Sequence, residues 1–480
     1  MFRRCAVAVV ACLSILSGWA HAQSVTPLVH QAPGGAQIVY QLTDGTVLAQ
    51  SIDNNAQWYK LTPDINGSYV NGTWTQVASL PANYSPLYFA GAVLADGRVV
   101  ITGGEYNFGE FAFTKQGAIY DPLANTWTNL KPPKGWGFIG DSPSVVLPNG
   151  EYVVGEKFKK SLAALDPTTL EWTELLSAGK NDFNAEEGWT LLPDGSILTI
   201  DVKDNPKSER YVTTKSAWLN AGSTVVNLQG PQNCCGKCIH YGKKNKCYDP
   251  PGEIGPAILR PDGSVFATGA LHDGQSAAHT AIYSNGAWAA GPDFPNGDQA
   301  ADSFGALLTN GNALIEGDSG TLYEYNGTTF KAEPVNVGGL YTSLMVLPTG
   351  QVLVGGFEVY TSSGTYNQSW APTISSYPSS VTRGSTYQIS GTQFNGLSQA
   401  AAFGDEEETA TNYPLVRITN TSTGHVFYAR THDHSTMGVA TGSQTVSTNF
   451  DVSTATETGA STLVVVANGI PSQSVAITVN

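Results

Sequence analysis

Apolar residues along this chain come in runs of three to five, too short for helices. Each run ends in a two-residue turn closed by glycine, and a second apolar run follows. Leu94 to Gly104 (LADGRVVITGG) and Leu347 to Gly356 (LPTGQVLVGG) show the unit most clearly. The turns are Asp44-Gly45, Asp96-Gly97, Asn149-Gly150, Asp194-Gly195, Asp262-Gly263, Asn310-Gly311 and Thr349-Gly350. Asp-Gly and Asn-Gly favour a type I′ hairpin, whose two central residues both need positive φ, so each turn predicts a pair of antiparallel strands.

The turn glycines are spaced 52, 53, 45, 68, 48 and 39 residues apart. The long interval holds a cysteine-rich insertion at about 230–250. After most hairpins comes an apolar strand and then tryptophan: Tyr120 to Trp127, Leu165 to Trp172, Tyr283 to Trp288. A unit is then four strands in about 50 residues, a kelch-like period. One such sheet leaves edges and a face uncovered, and seven around an axis bury face against face. The expected fold is all-β: a seven-bladed kelch-like β-propeller over 23–370, closed by Gln37 to Tyr40 and a strand near Tyr366. From Ala371 to Asn480 the pattern becomes alternating β-formers between Gly and Ser, which predicts an immunoglobulin-like β-sandwich.

Residues 1–22 read as a signal peptide: Arg3 and Arg4, an apolar stretch, then Ala20-His21-Ala22. A secreted or periplasmic protein is expected, with no membrane insertion, as a monomer. Loss of the two arginines takes the formal charge from -15 to -17, which disfavours nucleic acid as a partner. The remaining cysteines, Cys234, Cys235, Cys238 and Cys247, are expected to form two disulfides, with all three pairings open; a zinc knot with His240 is the alternative. Lys237, Lys243, Lys244 and Lys246 in the same loop make a solvated face or a contact for an anionic ligand.

The signal peptide, the kelch-like repeats and the sandwich together resemble galactose oxidase and its relatives, the copper radical oxidases. That resemblance implies copper held by a tyrosine cross-linked to cysteine, a tyrosine followed by histidine, and a histidine from a C-terminal loop. Tyr88, nine residues before Gly97, matches the first tyrosine. At the second position stand Tyr341 and Thr342, and the loop from Phe403 to Pro414 carries Asp405, Glu406, Glu407 and Glu408 without histidine. Imidazole suits copper better than carboxylate does, so the copper-radical ligands are not retained.

Nine residues before each turn glycine lies the start of the strand expected to line the channel. That register reads Ala36, Tyr88, Asp141, Glu186, Ile254, Asp302 and Tyr341. In the fifth unit the segment before the turn reads one residue longer, which puts Glu253 in register. Asp141, Glu186, Glu253 and Asp302 are thus the candidate catalytic acids, and Tyr88 and Tyr341 the candidate substrate contacts. Two carboxylates about 6 Å apart repel by about 3 kcal/mol at an effective dielectric of about 20. The ring therefore wants a cation such as calcium, a shared proton, or ties to backbone and water. His432-Asp433-His434 offers a weak metal pair, and His272, Asp273 and His279 form a second small cluster.

Aromatics and carboxylates at a channel mouth suit an extracellular or cell-wall saccharide. The expectation is a glycan-active or glycan-binding propeller, a hydrolase or lyase if catalytic. A redox metalloenzyme with a rearranged site and a non-catalytic adhesion or scaffold protein are the alternatives.

Overall fold

A computed structural model describes residues 23–231, 252–272, 274–338, 342–403, 406 and 408–480, with 237–241 and 244–248 as backbone. The fold is all-β. Seven antiparallel sheets of four strands succeed one another as in a β-propeller. The third is representative, running Ser144–Val146, Tyr152–Gly155, Leu162–Leu165 and Trp172–Leu175 from inside to outside. Its first three strands are wholly buried and its last is half-exposed. A strand covered on both faces needs no alternation, which is why the sequence shows unbroken apolar runs there. The innermost strand of the first sheet, Val39–Gln41, touches those of the second and the seventh, so the array closes.

The closing strand differs from the one expected. Gln37 to Tyr40 feeds the inside of the first sheet, and Tyr366 lies in irregular chain. Closure comes from Ser24–Pro27, which pairs with Glu358–Thr361 and completes the seventh sheet. Pro27 is tolerated because this is an edge strand.

The turns also differ in type. In each, the glycine N–H donates to the carbonyl three residues back, as Gly45 does to Leu42 and Gly150 to Leu147. The glycines take positive φ while the preceding Asp or Asn do not. These are therefore type I turns followed by a glycine bulge, not type I′. The Asp or Asn earns its place through its side chain, which accepts the N–H two residues on: Asp44 from Thr46 and Asp194 from Ser196.

The recurring tryptophans fasten neighbouring sheets. Indole N–H groups donate from Trp127 to the Ala78 carbonyl (3.0 Å), from Trp172 to Lys131 (2.6 Å) and from Trp288 to Ser208 Oγ (2.7 Å). Each joins an outer strand to the unit before it. Trp74 plays the same part across the closure, donating to His30.

Beyond a short turn at Gln368–Trp370 the chain builds a second set of strands, beginning at Thr373–Ser376, with its own core around Ile389, Val416, Phe450 and Val465. This part covers the end of the ring that carries the Asp-Gly turns. Thr431 N–H donates to Thr43, His434 N–H to Ala95 and Met437 N–H to Pro148. From it residues 399–403 and 408–413 reach the inner strands of the ring. Ala401–Ala402 adds a fifth strand to the sixth sheet against Gly305–Leu307. Among the described residues no helix is long and apolar enough to cross a membrane.

Candidate functional site

The end of the ring opposite the turns is where the inner strands begin. Three of the positions found by counting back from the turns share an unusual backbone. Tyr88, Glu186 and Asp302 all take left-handed conformations, with φ of 52°, 56° and 47°. Asp141 follows Gly140, whose φ is 79°. A non-glycine residue there costs about 1 kcal/mol or more, and its recurrence at one register marks a built feature.

Asp141 and Glu186, from adjacent sheets, meet at one cation. The ammonium of Lys157 bonds Asp141 and lies 2.6 Å from Glu186 Oε1. All three side chains are buried, Lys157 at 2% exposure. At least part of the charge balance this ring requires is thus internal. Asp302 is half-buried and its N–H donates to the Ile254 carbonyl at 3.3 Å.

Glu253 is not in register. The fifth hairpin closes as the others do, with Gly263 N–H to Arg260 and Arg260 N–H to Ser264. Ile254 holds the ninth position and is buried, while Glu253 precedes it, half-buried. The extra residue read before that turn does not exist, because Arg260 occupies the place that Leu takes in the other six. Tyr341, Cys234, Cys235, Asp273, Asp405 and Glu407 lie outside the described residues, as does the signal segment. Cys238 and Cys247 are directly opposite in the backbone register of the hairpin Lys237–Tyr241 and Lys244–Tyr248.

His432 and His434 do not converge. The His432 ring reaches carboxylates on both sides, Asp433 at 2.8 Å and Asp451 at 3.2 Å. His434 is buried, bonds Thr448 Oγ1 at 2.9 Å and stacks on Tyr413. Burial pushes its imidazole down to about 3, so it stays neutral. His279 faces Asp293 at 2.7 Å.

A continuous aromatic wall borders the mouth. Tyr88 meets Tyr106 edge-on at 6.0 Å, Tyr106 meets Phe111 at 5.8 Å, and Phe111 meets Phe113 at 4.5 Å. Phe158 and Phe183 extend the line. Tyr106 and Phe111 ride on a small hairpin, Tyr106–Asn107 with Glu110–Phe111, that pairs with Pro86–Leu87 just before Tyr88. Most of these rings are half-buried, and Phe108 at the hairpin tip is 55% exposed.

Behind Glu186, the next residue points into the fourth sheet. Glu187 takes both its oxygens to Lys180 Nζ, at 2.9 and 2.8 Å, in full burial. The pair fixes the backbone from which Glu186 projects. Lys157 and Lys180 were not singled out in the sequence. Counting seven forward from Gly150 reaches Lys157, since the second strand of each unit returns to the mouth where the first began.

No family model and no curated protein matches the sequence. Among solved structures, a fungal alcohol oxidase with catalytic diversity among the AA5 family, in complex with copper, aligns at 13% identity. The match covers 96% of this chain and 100% of that one, with a TM-score of 0.51. A streptogramin B lyase aligns at 12% identity over 72% of this chain and 98% of its own, TM-score 0.47. The protein YjhT aligns at 12% over 70% and 95%, TM-score 0.35. The first likeness shows a shared kelch-propeller fold.

The described residues at the mouth do not fit the copper of that relative. Among the described residues no three His, Cys, Asp or Glu side chains converge as a metal site. At the mouth, an ammonium already stands between the two nearest carboxylates, and those oxygens without imidazole are a poor donor set for copper.

Proposed function

We propose that this is an exported saccharide-binding propeller whose site is the mouth lined by Tyr88, Asp141, Glu186 and Asp302, with residues 371–480 folded as an immunoglobulin-like sandwich. The aromatic wall beside fixed carboxylates carries the reading. Half-exposed ring faces suit the apolar faces of sugars, and carboxylates accept their hydroxyl protons. Binding without turnover is favoured over hydrolysis. An acid/base pair needs carboxyls open to the glycosidic oxygen, whereas Asp141 and Glu186 are both engaged by the Lys157 ammonium.

A glycan array probed with the mature protein, with and without calcium, is the direct test. Glu186→Gln and Asp302→Asn should weaken a captured glycan about tenfold each, the loss of one charge-assisted hydrogen bond. Binding that survives both substitutions and Tyr88→Ala would place the site elsewhere. Turnover of the captured glycan would make it a hydrolase or lyase. Peroxide release from primary alcohols with stoichiometric copper would replace the reading by a redox one.

A further inference from the structure

Lys157 sits in surroundings that a free cation would choose. Its ammonium contacts the Asp141 and Glu186 carboxylates and lies 5.6 Å from the centre of the Phe113 ring and 6.0 Å from that of Phe158. Carboxylates supply charge, and ring faces supply the quadrupole that holds ammonium ions. The pocket is preformed. Lys157 N–H donates to the Ile139 carbonyl at 3.1 Å, and a Cβ on Gly140 would stand 3.2 Å from Lys157 Cβ, so glycine at 140 lets the tether pass close. Glu186 is aimed by its left-handed backbone.

We propose that Asp141, Glu186, Phe113 and Phe158 form a site for a small organic ammonium, which the chain fills with its own Lys157. Part of the negative charge of the mouth is then offset by a tethered cation where a bound calcium ion would otherwise serve. Shortening Lys157 opens the site to primary ammonium ions ahead of divalent metals, because the two carboxylates that face it among the described residues fall short of the six to eight oxygens calcium takes, while the rings favour alkylammonium.

The test uses the full mature chain and needs no saccharide, so it stands apart from the glycan reading. Thermal unfolding of the wild type and of Lys157→Ala is followed in methylammonium chloride, in sodium chloride at equal ionic strength, and in calcium chloride. The variant should unfold about 5 °C or more below the wild type, since an uncompensated carboxylate pair is left buried. Methylammonium should recover at least half of that loss, saturably, where sodium does not, and the wild type should respond to neither. A variant that responds equally to sodium and methylammonium overturns the proposal. Wild-type protein is also assayed for metal and for a calcium-dependent shift, which decides the matter even if Lys157→Ala does not fold. Absence of both is expected, and stoichiometric calcium with a saturable rise in the wild-type midpoint overturns it.

Discussion

At the scale of single residues, the mouth is surrounded by acids whose environments pull them apart. Glu316 is wholly buried, accepts the Thr342 N–H at 3.1 Å, and is pushed up to about 8 by that burial. A folded carboxyl that holds its proton above the unfolded value near 4.5 makes the native state bind more protons across that window. Stability is therefore present at the acid end and is lost as pH rises through 8. Asp201, pushed up to about 7, acts in the same sense. His434 has the opposite sign, because an imidazole lowered to about 3 stabilises above 6.5 and is lost as pH falls. Between pH 7 and 8 Glu316 acts alongside the buried Glu187 and Glu408, whose carboxyls burial also raises. Its own share of the stability lost in denaturant unfolding across that unit should be up to about 1.4 kcal/mol, and Glu316→Gln should make the slope shallower. An unchanged slope in the variant would show that the carboxyl is ionised in the native state.

At the scale of elements, the clasp Ser24–Pro27 joins the two ends of the ring. Leu28 N–H bonds Phe357 at 2.9 Å, and antiparallel pairs alternate, so Thr26 faces Val359 in a bonded pair while Val25 and Pro27 do not. Thr26→Pro should cost about 1 kcal/mol or more and speed amide exchange in Glu358–Thr361, whereas Val25→Pro should leave that exchange unchanged. Equal effects would show that the clasp holds by side-chain packing alone. The same elements show how far the sequence could be read. The turn glycines and the tryptophans marked all seven sheets, because a turn needs a local residue. The clasp escaped notice because nothing local distinguishes Ser-Val-Thr-Pro from any exposed strand, and its partner lies more than 330 positions away. The mouth was half legible for the same reason. Counting from the turns found Asp141, Glu186, Asp302 and Tyr88, but Lys157 joins them only once the third and fourth sheets are packed side by side.

At the scale of the whole molecule, residues 399–403 and 408–413 pin the inner strands of the ring. They pair with Gly305–Leu307 of the sixth sheet, Thr409 Oγ1 donates to Leu344 of the seventh, and the Tyr413 hydroxyl donates to the Gln41 carbonyl of the first. Gln399 accepts the Leu191 N–H of the fourth sheet at 2.8 Å and donates to Glu408 at 2.6 Å. Gln399→Ala leaves a buried N–H and a buried carboxyl without these partners and should cost about 2 kcal/mol or more. A chain ending at Trp370 should not fold to a stable ring, while the intact chain should unfold in one transition. A stable, cooperatively folding truncated ring would make the pin a passenger.

The sequence by itself determined the all-β class, the number of repeating units, the placing of the turns and the register that Tyr88, Asp141, Glu186 and Asp302 share. Those features depend on short apolar runs, turn glycines and a period of about fifty residues, and such patterns are written along the chain. Only the tertiary structure decided which strand closes the ring, that a lysine stands between Asp141 and Glu186, and that Ala401–Ala402 pairs with the sixth sheet. These are contacts between residues that no local pattern relates, and they form because a buried charge or an open strand edge demands a partner wherever along the chain one can be brought.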